Sequence, residues 1–349
     1  MELNFNGRKV GEGHAPYIIA EIGSNHNGDM QLAKELVAAA KEAGADAAKF
    51  QSWSNKSLIS KAEYARNTHY DDTKKHFGSL FEMVDKYQFT PEQHYEIAEY
   101  CQKQNIDFMS TPFADDEVDL LVELNVPAIK IASMDVNHLL LLEKAASSGK
   151  PIVLSTGMAN LEEIARAVST LQNSGAKEIS LLHCISIYPP EYKDIHLNNI
   201  IGLKESFGLS VGFSDHSFGT AIPLAAVALG ASIIEKHFTL DKNLEGWDHD
   251  ISADFEELKT ICQESKNIFA ALGNKTRTVS AAELEKRKRF RRCAVINKDL
   301  KAGHIIQKED LEFKRPGTGI HPDQYQFIIG RSLKHDLAND SELAWSDFL

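Results

Sequence analysis

The stretch SIIEKHF, Ser232 to Phe238, begins as a buried β-strand and ends on an acid, a base and an imidazole: Glu235, Lys236 and His237. Similar endings recur along the chain. Candidate strands finish on Glu21, on Lys49 with Gln51, on Ser110 with Thr111, on Lys130 with Ser133, on Ser155, on Ser186, on Ser214 with His216, and on Glu235 with His237. A strand alternates its faces, so Lys49 and Gln51 point the same way, as do Ser214 and His216, and Glu235 and His237. One or two polar strand ends mean little. A polar residue at every strand end points to a site.

His216 and His237 close the last two candidate strands, and neighbouring parallel strands lie about 4.8 Å apart. Two imidazoles there could share one divalent metal and leave positions open for water and substrate. They could equally be a hydrogen-bonded core pair. A lysine inside a strand is costly unless paired, so Lys49 and Lys130 are either buried ion-pair partners of Glu21 and Glu235 or a clamp for an anionic substrate. Hydroxyls at the neighbouring ends, Thr111, Ser133, Ser155 and Ser214, together with helix N-termini, would complete a phosphate or carboxylate cradle.

The elements that must position these groups are short apolar runs alternating with amphipathic ones. YIIAEIG, AAKFQSW, DFMSTPF, AIKIAS, PIVLSTG, ISLLHCIS, LSVGFSDH and SIIEKHF read as strands. MQLAKELVAAAKEAGA, TPEQHYEIAEYCQKQ and NLEEIARAVSTLQNSGA carry helical periodicity, with Asn160 as an N-cap and Gly44 and Gly175 near helix ends. Eight strand–helix units predict a (β/α)8 barrel over residues 1–273. A doubly wound open sheet is the competing fold, but no GxGxxG opens its first turn. Residues 54–89 exceed an ordinary loop and suggest a lid or a dimer contact. Residues 274–292 are polar and end basic, which predicts a solvated linker rather than a nucleic-acid patch. Residues 293–349 have short strand-like pieces broken by turns, as expected of a small β-rich second domain.

The chain has 349 residues, 43% of them hydrophobic and 25% charged, enough for a sizeable core. Its net charge of −12 argues against nucleic acid as a partner. The first residues lack a signal-peptide pattern, and no apolar run is long enough for a bilayer. The four cysteines are far apart and form no CxxC pair, as expected of reduced thiols in a cytoplasmic protein.

Taken in order, IAEIGSNHNG, GADAAKFQSW, STPF, KIAS, LSTGM, LLHCISIYP, GFSDHSFG and EKHFTLDK resemble the motifs of the bacterial sialic acid synthase family. INKDLKAGHIIQKEDLEFKRPGTGIHP resembles that family's C-terminal antifreeze-like domain, also called SAF or β-clip. The resemblance implies condensation of phosphoenolpyruvate with the open-chain aldehyde of an N-acetylated hexosamine such as N-acetylmannosamine. The products are a nine-carbon 2-keto acid and phosphate, and a divalent Mn2+ or Mg2+ takes part. It implies His216 and His237 as metal ligands, with Glu21 a candidate acid/base. Lys49, Thr111, Lys130, Ser133, Ser155, Ser186 and Ser214 would hold phosphoenolpyruvate. Gln51, Asp135, Tyr188, Asp248 and Arg315, with Glu21, match positions that handle the sugar. Arg315 would reach the other subunit of a domain-swapped homodimer. Asp135, Ser186, Trp53 and the EGWDHD segment around Asp248 depart from the N-acetylneuraminate pattern. SDHSFG, HFTLDK and GIHP lean toward the pseudaminic branch, so a 2,4-diacetamido-6-deoxy hexose, of the legionaminic or pseudaminic kind, is the alternative substrate.

Overall fold

The computed structural model describes residues 2–72 and 75–349. The chain divides into two compact units, Met1–Gly273 and Asn274–Leu349.

The first unit opens with an antiparallel hairpin, β1 (Glu2–Phe5) and β2 (Arg8–Gly11). β3 (Tyr17–Gly23) and β4 (Ala47–Ser52) start a parallel sheet. An insertion follows, with a helix over Lys61–Arg66, a short hairpin of β5 (Tyr70–Asp72) and β6 (Lys75–Gly78), and a helix over Leu80–Tyr87. Positions 73–74 of this insertion lie outside the described residues. Six more parallel strands come after it: β7 (Asp107–Pro112), β8 (Ile129–Ile131), β9 (Ile152–Ser155), β10 (Ile179–Cys184), β11 (Ser210–Asp215) and β12 (Ile233–His237). The sheet order is β7-β4-β3-β12-β11-β10-β9-β8, and β7 and β8 face each other across the remaining seam. Helices separate the strands, so the architecture is a (β/α)8 barrel.

Local chemistry fixes these elements. The helix over Met30–Ala43 starts where Asp29 accepts from the Gln31 and Leu32 amides and stops at Gly44, whose φ of 98° suits glycine. Asn160 and Glu163 form a reciprocal capping box at the helix over Leu161–Asn173. The apolar faces of the helices meet the outer faces of the strands in one large core. Inside the barrel, Leu3, Phe5 and Val10 of the hairpin join Tyr17, Ile19, Met109, Val153, Leu182 and Ile233 in a second apolar layer. That layer plugs the N-terminal end and leaves the C-terminal end for polar groups.

In the second unit β13 (Cys293–Ile296) pairs antiparallel with β14 (Leu311–Lys314) over a core of Ala294, Ile296, Leu300, Ile306, Ile320, Ile328, Leu333, Leu343 and Phe348. The polar stretch 274–292 is not simply extended: Ser280 and Glu283 cap a helix over Ala281–Phe290, none of whose residues is buried. All four cysteines are free and buried. No helix among the described residues is long and apolar enough to cross a membrane.

Candidate active site

The C-terminal ends of the barrel strands surround a cavity of ≈ 640 Å³, the size of a small-molecule site. Glu21, Lys49, Gln51, Thr111, Lys130, Ser133, Ser155, Ser186, Tyr188, Ser214, His216, Glu235, His237 and Asp248 all line it. Two residues expected from the sequence do not. Asp135 lies on the 3-10 turn after β8, outside the lining, with Oδ1 3.6 Å from His138 Nδ1. Arg315 belongs to the second unit, where its guanidinium lies 4.9 Å from the Phe290 ring centre.

The floor is charged. Lys49 Nζ lies 2.7 Å from Glu21 Oε2 and 3.7 Å from Glu235 Oε2, and donates to Thr111 Oγ1 at 3.1 Å. Lys130 Nζ is 3.6 Å from Glu235 Oε1, which also accepts from Ser214 Oγ at 3.1 Å. Burial alone would discharge these lysines. At Lys49 that effect is outweighed by Glu21 and then Glu235, which hold the ammonium above its usual range. At Lys130 burial wins, opposed by Glu235 and reinforced by Lys49, and its proton is held less tightly than usual. Burial likewise raises Glu21 against the pull of Lys49. The ion-pair reading of the lysines holds, and both residues also line the cavity.

Above the floor stand the two imidazoles, ring centres 5.4 Å apart at 51°. His216 Nδ1 lies 2.8 Å from the Ile185 carbonyl. A carbonyl only accepts, so this nitrogen carries a proton and Nε2 is the nitrogen left for a ligand. His237 is held neutral, first by burial and then by His216 and Lys49. Its Nδ1 is buried without a hydrogen-bond partner, 3.7 Å from Asp248 Oδ2. Burial works against a charge on His216 too, but Cys184 and the Ile185 carbonyl outweigh it and raise its proton affinity. Two imidazoles lining one cavity, His237 neutral and with an unsatisfied nitrogen, are a donor set that fits a divalent metal, which would displace any proton on His216 Nε2. Among the described residues no group of three or more His, Cys, Asp or Glu side chains is arranged to hold one, so the remaining ligands would be water or substrate. Tyr188 lies over His216, with ring centres 3.9 Å apart.

Gly157 was not foreseen. A Cβ there would run into Ser186 Oγ and come within 2.8 Å of Ser133 Oγ, and its amide donates to Ser133 Oγ at 3.0 Å. Only a residue without a side chain lets the two hydroxyls converge. Ser155 Oγ, beside them on the lining, is buried without a partner. The sequence signal was present in LSTGM, but a glycine announces no chemistry by its type. Part of the lining is an apolar wall of Trp53, Leu58, Ile59, Leu80, Met83, Tyr87 and Trp247. Most come from the 54–89 insertion, which therefore forms part of the cavity. Ser57 ties that insertion to the barrel, donating to Glu117 Oε1 at 2.6 Å.

A (β/α)8 barrel with a lysine- and hydroxyl-rich cavity at the C-terminal ends of its strands is the class of protein these features define. The NeuB family model matches residues 36–277 and the SAF domain model matches 291–349. The chain belongs to the NeuB family, that of the sialic, legionaminic and pseudaminic acid synthases. It is 41% identical to the N,N'-diacetyllegionaminic acid synthase of Legionella pneumophila over 94% of this chain and 93% of that one. It is 37% identical to the pseudaminic acid synthase of Helicobacter pylori over 95% and 97%. The crystal structure of the sialic acid synthetase of Leptospira borgpetersenii, solved with citrate, superposes with a TM-score of 0.74 at 37% identity, covering 82% of this chain and 95% of that one.

Proposed function

We propose that the chain condenses phosphoenolpyruvate with the open-chain form of an N-acetylated hexosamine and water, giving a nine-carbon 2-keto sugar acid and phosphate. The observation that carries this reading is the pairing, in one cavity, of a lysine–hydroxyl floor with an apolar wall. The floor suits a small polyanion. Lys49 and Lys130 offset the phosphate and carboxylate charge, and the Ser133, Ser155, Ser186, Thr111 and Ser214 hydroxyls, with the close approach allowed at Gly157, supply donors around it.

Carbon 3 of phosphoenolpyruvate bonds to the sugar's carbonyl carbon, and positive charge develops at carbon 2. Water adds there. The tetrahedral intermediate then expels phosphate by breaking its carbon–oxygen bond, leaving the water oxygen in the keto group. Glu21, with its raised affinity for protons, takes or gives a proton at the attacking water or the new hydroxyl. Holding both reactants in one cavity removes an entropic barrier worth up to roughly 7–11 kcal/mol. His216 and His237 would hold a Mn2+ or Mg2+ ion, which when bound supplies Lewis-acid polarisation of the sugar's carbonyl oxygen.

The apolar wall favours a 2,4-diacetamido-6-deoxy hexose over N-acetylmannosamine, because a methyl group and a second acetyl group gain from burial there and free hydroxyls do not. Gln51, which donates to Glu21 Oε1 at 2.9 Å, Tyr188 and Asp248 border the sugar's end. Arg315 is assigned to the second copy's cavity in a swapped dimer. Mixing the Arg315→Ala and His237→Ala variants should then restore activity that neither has alone. Phosphate release with phosphoenolpyruvate, Mn2+ or Mg2+ and each sugar in turn tests the reading. Release is expected with at least one N-acetylated sugar, fastest with the diacetamido-6-deoxy one. No release with any sugar under either metal contradicts the activity; faster release with N-acetylmannosamine contradicts only the sugar assignment.

A further inference from the structure

Lys236 stands between Glu235 and His237 in sequence, and strand alternation sends its side chain to the opposite face of β12 from theirs. There it meets Asp215, its register partner on β11. Nζ and Oδ2 are 2.8 Å apart, and each side chain is 1% exposed. The other carboxylate oxygen, Oδ1, accepts from the Ser217 amide at 2.9 Å. The Lys236 ammonium donates in turn to the Ser217 carbonyl. Both backbone groups of Ser217 are therefore held by one buried ion pair. The residue between Asp215 and Ser217 is His216, whose ring is fixed separately by the Ile185 carbonyl.

We infer that the Asp215–Lys236 pair is a positioning device for His216, fixing its backbone from outside the barrel so that Nε2 faces the cavity. The inference rests on the reading above that His216 holds a metal. A buried ion pair is a poor device for stability alone, since well-packed apolar residues of similar volume do as well or better. Apolar residues cannot hydrogen-bond the two backbone groups of Ser217. Outer partners that orient a ligating imidazole commonly change metal affinity by about 10–100-fold when removed.

The test is calorimetric titration of Mn2+ into the parent protein and the His216→Ala, Asp215→Leu/Lys236→Met and Asp215→Asn variants, with the melting temperature and phosphoenolpyruvate affinity of each. The double variant is expected to fold, to bind phosphoenolpyruvate within about threefold of the parent and to bind Mn2+ at least about tenfold more weakly. Asp215→Asn keeps an oxygen for the Ser217 amide, so it should retain Mn2+ affinity within about threefold. The inference is overturned if His216→Ala loses Mn2+ while the folded double variant binds it as the parent does. It is also overturned if Asp215→Asn loses as much as His216→Ala, since an oxygen for the Ser217 amide remains there. Should the double variant fail to fold, Asp215→Ala, which removes that oxygen, takes its place, and Mn2+ binding like the parent's in it overturns the inference. If the parent binds no Mn2+, or His216→Ala binds it unchanged, the metal reading itself falls and takes this inference with it.

Discussion

The two ends of the barrel carry cavities of nearly equal size, ≈ 640 Å³ at the strands' C-terminal end and ≈ 680 Å³ at the N-terminal end. Volume does not distinguish them; the state of their polar groups does. In the N-terminal groove Arg8 pairs with Asp46, the Tyr17 hydroxyl donates to Asp107 at 2.5 Å, and the Tyr95 hydroxyl donates to Glu123 at 2.7 Å. None of its lining residues has a buried side-chain polar atom without a partner. At the C-terminal end Ser155 Oγ and His237 Nδ1 are buried with no partner, among lysines and carboxylates that crowd one another. Buried polar groups are normally satisfied. The buried polar groups of one end are satisfied within the chain, and Ser155 Oγ and His237 Nδ1 at the other end are not.

The comparison can be broken at either end. The largest effect is expected from Lys130→Met, which removes an ammonium group from the floor and leaves Glu235 to Lys49 alone. Phosphate release should fall at least about a thousandfold in kcat/KM, equivalent to about 4 kcal/mol of transition-state stabilisation. A loss of stability with kcat/KM intact would make the floor merely structural. Next is Phe5→Ala in the plug, expected to cost about 3–5 kcal/mol in denaturant unfolding while the folded protein keeps its KM for phosphoenolpyruvate. A changed KM would connect the two ends. Gly157→Ala should raise that KM about tenfold, or about 1.4 kcal/mol, with kcat little altered, because the new methyl group displaces Ser133 and Ser186. An unchanged KM would remove those hydroxyls from the anion site.

The smallest effect concerns Asp107. Burial raises its proton affinity, Tyr17 opposes and Asp46 adds to the rise. The folded carboxyl thus keeps its proton at pH values where the unfolded one has released it, and stability declines as pH rises through that window. Asp107→Asn should therefore be more stable than the parent at pH 7, with the gain disappearing below about pH 4 and turnover unaffected. A loss of stability at pH 7 would reverse the sign.

The sequence showed the barrel and its polar strand ends because both depend on periodicity and residue type. Glu235 and His237 share a face in the sequence and in the fold. Lys236 gave no such signal: its role depends on a partner 21 residues earlier that only the register of β11 and β12 brings opposite. The plug escaped notice because its strands are four residues each, too short for a pattern. The helix over Ala281–Phe290 read as linker because it has no apolar stripe, every residue being exposed. The apolar wall is made by tertiary packing of Met83 and Tyr87 with Trp53, Leu58 and Trp247, contacts no local window contains.

The central claim is that phosphoenolpyruvate loses its phosphate at this cavity by carbon–oxygen cleavage as a new carbon–carbon bond forms. Phosphoenolpyruvate labelled with oxygen-18 at the bridging position tests it directly, with the preferred sugar and mass spectrometry of both products. The account requires the label in inorganic phosphate and a sugar acid whose mass equals the two substrates plus water minus phosphate. Label retained in the organic product, or phosphate released without a condensed acid, would contradict it.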